Sequence, residues 1–195
     1  MAESDSADAD GFASVLRGRR SIDLFAPGVV GVDTLLAAIE VARWAPNHRL
    51  TEPWRFYVLG PEARRAYGSA LGARKAKRVD DPDAARQVVE KVERTHESLP
   101  AMIAVSMVQD DNAEVREEDY AATFMAIQNL SLAAVAAGLG THLKTGAVMD
   151  DPRARAAVGV PQGERIVAIV ELGEPATTPD GRPRRAASEL TTWVP

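Results

Sequence analysis

The stretch from Tyr120 to Gly140 is the longest apolar run in the chain, and it constrains the fold more than any other feature. It reaches membrane-spanning length only if Thr123, Gln128, Asn129 and Ser131 are counted with it. It is rich in Ala, and apolar residues fall on nearly every side of the helix it would form. A helix on a protein surface keeps a polar face, so a helix without one belongs inside a core. We therefore expect a long core helix over Glu114 to Ala137, ended by Gly138 and Gly140, and no membrane span. Its small side chains would let another helix approach closely.

The remaining elements have to wrap that helix. Asp33 to Trp44 carries Leu35, Ile39 and Ala42 on one face, with Asp33 as the expected N-cap and Pro46 beyond its end. Trp54 to Leu59 (WRFYVL) reads as a strand stopped by Gly60-Pro61, with Pro53-Trp54 setting its start and filling core. Glu62 to Leu71 reads as a short helix. Arg74 to Glu97 is strongly charged, with Pro82 near a helix start; it reads as a mobile, exposed helical excursion with His96 at its surface, able to act as a lid. Ala101 to Val108 (AMIAVSMV) reads as a strand covered on both faces, followed by a polar turn at Gln109 to Asn112. Asp151 to Val158 reads as a short helix with Pro152 in its first turn, and Arg165 to Leu172 as the last long strand. Thr177 to Arg185 is a Pro/Gly/Arg-rich tail, and Ala186 to Pro195 is expected to dock on a neighbour. Met1 to Gly11 (MAESDSADADG) is expected to be a disordered acidic tail, leaving 12–195 as a single domain.

Strands and helices interleave without a regular βαβ series, so an α+β layered domain is expected. No G-x-G-x-x-G follows a strand and no G-x-x-x-x-G-K-[ST] occurs, which leaves a dinucleotide fold and a P-loop unsupported. The net charge of -5 argues against nucleic-acid binding, which needs a basic footprint. Cysteine is absent, so disulfides, thiolate metal sites and Cys nucleophiles are excluded. The three His lack metal-ligand spacing, and no metal is expected. No basic and apolar leader opens the chain, and a cytoplasmic protein is expected.

Arg19-Arg20-Ser21 is a compact anion clamp, since two guanidiniums give forked, permanently charged donors and the hydroxyl adds one more. About 25 residues on comes Ala45-Pro46-Asn47-His48, then Pro53-Trp54-Arg55-Phe56 at a strand start. Gly138-Leu139-Gly140-Thr141-His142-Leu143-Lys144-Thr145-Gly146 reads as a Gly-rich turn with a basic-hydroxyl pair. The final strand closes in Leu172-Gly173-Glu174-Pro175. In this order and spacing, from Phe12 to Pro175, the chain resembles the nitroreductase-like flavoprotein family, and most closely its short bacterial members. The resemblance implies a central, mostly antiparallel sheet flanked by helices around a long core helix. It further implies a C-terminal segment exchanged across a homodimer, with an FMN bound at each subunit meeting.

The same resemblance implies roles for individual residues. Arg19 and Ser21 match positions that hold the FMN phosphate, and Arg20 one that lies along the flavin. Trp44 and His48 match positions that reach the flavin of the other subunit. Leu143, Lys144 and Thr145 match the segment that closes over the flavin, and Arg184 and Arg185 are a further basic pair for the phosphate. The chain departs from the family at Asp23, where a basic residue is common, and at Trp44, often basic too. Arg20, Arg49 or Lys144 would then supply the cation that a reduced flavin needs. The implied activity is an FMN-dependent NAD(P)H oxidoreductase. NADPH or NADH gives a hydride to flavin N5, and a nitroaromatic, quinone or similar small-molecule acceptor then takes two electrons, with no side-chain acid or nucleophile required. The departures at Asp23 and Trp44 leave an alternative, a flavin-binding carrier or sensor without turnover.

Overall fold

An antiparallel sheet organises residues 11–195, the part of the chain that the computed structural model describes. The expected acidic tail lies outside the described residues except for Gly11, which opens a helix over 11–18 (α1). The other elements are α2 (Val32–Ala42), β1 (Trp54–Val58), α3 (Pro61–Ala76), α4 (Pro82–Glu97), β2 (Ala101–Val108), α5 (Ala113–Ala136), β3 (Gly140–Lys144), a 3-10 turn (Ala147–Asp150), α6 (Pro152–Val158), β4 (Glu164–Gly173) and α7 (Ala187–Leu190). The strand order is β1-β2-β4-β3, and every pairing is antiparallel.

The sheet is covered on both faces, as the apolar run Ala101–Val108 requires. Because side chains alternate along a strand, Ala101, Ile103, Val105 and Met107 join one core with α2 and α5, while Met102 and Ala104 join another with α3 and α6. Trp54 is buried in the first core, the filling role expected of it. α5 starts at an Asn112 cap, whose side chain accepts from the Glu114 N–H, and ends at Gly138 in the left-handed region (φ 79°). It is not wrapped all round within its own chain: Glu117, Ala121, Met125 and Gln128 form an exposed stripe. α2 is capped by Gly31 rather than Asp33, which lies in the first turn, and it stops short of Trp44.

Three expectations are corrected. The charged region 74–97 is not an exposed excursion. α3 runs to Ala76, and α4 packs along it because Gly68 and Gly72 carry no side chain. A Cβ on Gly68 would lie 2.9 Å from the Val92 carbonyl oxygen, and one on Gly72 2.9 Å from Val89 Cα. His96, expected at the surface, is buried in consequence, with its ring centroid 5.7 Å from that of Tyr67. Finally, Gly138 to Gly146 is not a turn, because its centre is the edge strand β3. Gly140 serves close approach instead: a Cβ there would meet Ile22 Cγ1 at 2.4 Å and Pro175 Cγ at 2.9 Å.

Candidate functional site

The free edge of β3 is met by the N-terminal segment. Ser21 bridges Thr141 in parallel, and the Ile22 N–H donates to the Thr141 carbonyl at 3.0 Å. Ile22 is buried and fixes the segment, while Ser21 stays exposed and Arg19 half-buried. Arg20 turns back on its own backbone, donating to the carbonyls of Arg17 (2.6 Å) and Arg19 (3.0 Å). The C-terminal tail crosses Arg20 at Gly181, where a Cβ would lie 2.6 Å from Nη2. Asp23 points to solvent, with its carboxylate 3.1 Å from His142 Nδ1.

Four residues beyond Thr141, about 13 Å along β3 at the usual rise, Thr145 enters an open cleft of about 330 Å³. Its walls are Thr145 to Val148 on one side and Leu71, Arg74, Lys75 and Arg78 of the α3 end on the other. Gly146 turns the chain there at φ 122°, a value L-residues rarely adopt. Lys144 lies at the same end, with Nζ 3.1 Å from Glu171 Oε2, and Leu143 alternates to the opposite face. The structure thus brings Arg19, Arg20, Ser21, Leu143, Lys144 and Thr145 together along one sheet edge. It also adds Arg74, Lys75 and Arg78, which sequence reasoning missed because a charged helix end reads as solvated surface. The signal available was the run Arg74-Lys75-Ala76-Lys77-Arg78 itself, four cations in five residues.

Trp44 and His48 are elsewhere. Both are exposed on the loop between α2 and β1, where Arg43 stacks over the Trp44 ring at 5.3 Å. His48 Nδ1 lies 3.1 Å from Glu118 Oε1, and Arg49 Nε donates to Glu118 Oε2 at 2.9 Å. The Arg49 hydrogen bond, and then His48, hold the Glu118 carboxyl below its ordinary range. The loop is strained, with Leu50 (φ 51°) and Glu52 (φ 43°) in the left-handed region. Asn47 braces it. Its Oδ1 accepts from the Glu52 N–H at 2.8 Å, its Nδ2 donates to Thr51 Oγ1 at 3.1 Å, and Thr51 donates to Asp119 Oδ1 at 2.5 Å. Glu118 is in the second turn of α5, whereas Thr141 follows its far end. The 18 residues from Glu118 to Ala136 correspond to about 27 Å of helix. The predicted residues therefore form two groups at opposite ends of α5. Arg184 and Arg185 lie in the exposed tail and join neither group through any hydrogen bond or ion pair among the described residues.

Comparison with known proteins gives a consistent picture. The sequence model of the nitroreductase family matches residues 16–174. A Bacillus subtilis protein, "Putative NAD(P)H nitroreductase YfhC", is 34% identical over 170 residues, covering 87% of each chain. Among solved structures, a nitroreductase-like family protein from Bacillus cereus superposes with a TM-score of 0.81 at 30% identity, covering 94% of this chain and 95% of that one. A Bacteroides fragilis nitroreductase with bound FMN superposes with a TM-score of 0.70 at 20% identity, covering 94% and 98%, which is a likeness of fold.

Proposed function

Because the chain belongs to the nitroreductase family, we propose that it is an FMN-dependent NAD(P)H oxidoreductase serving nitroaromatic, quinone or related conjugated acceptors. The observation that carries this reading is the row of donors along the β3 edge. Arg19 and Ser21 lie at one end, and Lys144, Thr145 and the Arg74, Lys75 and Arg78 wall lie about 13 Å on. These donors suit FMN, a ligand with a dianionic phosphate at one end and a flat ring with polar pyrimidine oxygens at the other. Arg19 and Ser21 would hold the phosphate. Thr145 and the cationic wall would face the ring's polar edge, where cations stabilise the charge of the reduced state. They replace the cation that Asp23 lacks, and Arg49 is committed to Glu118. When bound, FMN supplies the two-electron chemistry, taking hydride from the nicotinamide at N5 and passing it to the acceptor.

The two-group arrangement supports a homodimer. A single ligand cannot touch residues separated by about 27 Å of helix, so Trp44 and His48 would serve the site of a second copy. Exposed apolar residues support the same reading: Val32 and Leu36 on α2, Met125 on α5, and Leu190, Trp193 and Val194 in the tail. Such residues mark contact surfaces when they cluster. The tail would cross to the partner as an exchanged arm. Use of a reduced nicotinamide would suit a cytoplasmic protein. Among the described residues, no helix is long and apolar enough to cross a membrane.

An anaerobic absorbance spectrum of the FMN-loaded protein, taken before and after NADPH or NADH, tests the reading. A flavin band that bleaches on mixing supports the oxidoreductase and identifies the donor. A band that persists supports the carrier or sensor, and a protein that takes up no FMN overturns both.

A further inference from the structure

A carboxylate is buried where none is needed to build the sheet. Glu171 sits in β4 among Ile169, Val170 and Leu172, and its side chain is 6% exposed. A strand covered on both faces is ordinarily apolar, because an ion there loses its hydration. Two groups stand at its oxygens. Lys144 Nζ lies 3.1 Å from Oε2, reaching in from the neighbouring strand β3 with 37% of its side chain still exposed. His96 Nε2, from α4, lies 3.7 Å from Oε1, outside hydrogen-bond range. His96 Nδ1 meets the Val92 carbonyl at 2.8 Å, and a carbonyl only accepts, so the ring proton sits on Nδ1. In the neutral ring Nε2 is a bare lone pair facing another acceptor, and it has no hydrogen-bond partner. Lys144 is therefore the one cation bonded to Glu171, and Glu171 is the one carboxylate bonded to Lys144 among the described residues. Tyr67 and Lys75 of α3 stand near the pair, and His142 is the cross-strand neighbour of Glu171 on β3, with its Nδ1 turned to the Ile22 carbonyl and Asp23.

We infer that Glu171 is a positioning residue: from inside the sheet it fixes the Lys144 ammonium at the end of the β3 edge, so that Lys144 is already aimed when FMN arrives. This rests on the reading of that edge as the FMN site. An ammonium on a four-carbon stem loses much rotamer freedom when a ligand orders it. A buried, immobile anion orders it beforehand, and preorganisation of this kind appears as affinity. Among the described residues, no other hydrogen-bond partner of Glu171 gives the carboxylate another purpose.

Four proteins test this: wild type, Glu171→Leu, Lys144→Met and the double variant, with Glu171→Gln as the conservative replacement. Leu suits the apolar strand, and a melting curve confirms that each variant is folded. The first readout needs no flavin. Amine acylation is followed by peptide mass spectrometry at Lys144, with Lys75, Lys77 and Lys91 as internal references. We expect Lys144 to be acylated several-fold faster in Glu171→Leu, and near the wild-type rate in Glu171→Gln, which keeps an acceptor oxygen. The second readout is FMN affinity by fluorescence quenching. Glu171→Leu should weaken it about tenfold, as for loss of one charged hydrogen bond. Lys144→Met should do the same, and the double variant should be no worse than either. An unchanged acylation rate in Glu171→Leu overturns the proposal, as do FMN effects that add in the double variant. If wild type binds no FMN, the proposed function fails, while the acylation arm still decides whether Glu171 holds Lys144.

Discussion

Asn47 does more for the molecule than its place in a surface loop suggests. Leu50 and Glu52 sit in the left-handed region, which costs about 1–3 kcal/mol per residue unless the surroundings enforce it. The Asn47 side chain enforces it from both of its polar atoms. Asn47→Ala should therefore lower stability by about 1–2 kcal/mol in urea unfolding. It should also weaken FMN retention, because His48 is displayed by that loop; Thr51→Val should do so less. His96 carries a second prediction. Burial, the largest influence, holds its pKa below the ordinary imidazole value, against the opposing pull of the Val92 carbonyl and Glu171. The unfolded chain then binds a proton that the folded chain refuses, so stability falls as pH drops below the ordinary value of about 6.5. The urea midpoint of wild type should fall more between pH 7 and pH 5 than that of His96→Gln. A smaller or equal fall in wild type would show that His96 is not held neutral. Motif order marks Arg19, Ser21 and Lys144 in the sequence as candidates, and the fold gathers them along one sheet edge. His96 was not legible there, since its neighbours in sequence are charged and its burial depends on two glycines of another helix.

Those glycines decide the contact between α3 and α4. Ala at position 72 would gain about 1 kcal/mol of helix propensity. Its Cβ would however lie 2.9 Å from Val89 Cα, a backbone atom that cannot swing aside. Gly72→Ala should therefore lose about 1–2 kcal/mol net, read by thermal or urea unfolding. Gly60→Ala, at φ -70° with nothing within 4 Å of its Cβ, should stay within about 0.5 kcal/mol of wild type, because the poorer N-cap and the smaller entropy of the unfolded chain oppose each other. At this scale the sequence shows the apolar elements well. β2, α5 and β4 were expected almost where they form, because strand and helix periods in apolar residues report burial directly. β3 and α4 were misread for one reason. Glycine marks both a turn and a close approach, and the sequence alone does not say which is at work.

At the scale of the whole molecule, the two groups of candidate residues lie at opposite ends of α5, and the proposal that they form one shared site has a direct test. An Arg19→Ala chain keeps its Trp44 end intact, and a Trp44→Ala chain keeps its Arg19 end intact. If each site draws one end from each chain, a mixed dimer regains one complete site. Random mixing after mild unfolding should then restore about one quarter of wild-type activity, since half the dimers are mixed and each has one good site of two. No recovery above the parents would overturn the shared site. Removal of residues 186–195, which carry the exposed Leu190, Trp193 and Val194, should weaken the dimer in sedimentation. None of this assembly was legible from residue patterns alone: a helix that is apolar all round looks the same whether its last face meets its own chain or another.

The pairing of Ser21 with Thr141 would tie the proposed ligand to the fate of the protein in the cell. β3 ends the sheet, and an open sheet edge is where chains join wrongly and aggregate. The segment that covers this edge is the same Arg19 to Ile22 that would grip the phosphate. A bound ligand holds the cover down, because whatever binds only the folded form stabilises it. When cofactor is scarce, empty chains would uncover an adhesive strand more often and be more exposed to proteolysis and aggregation. Supply of the cofactor would then govern how long the protein lives, and not only how fast it works.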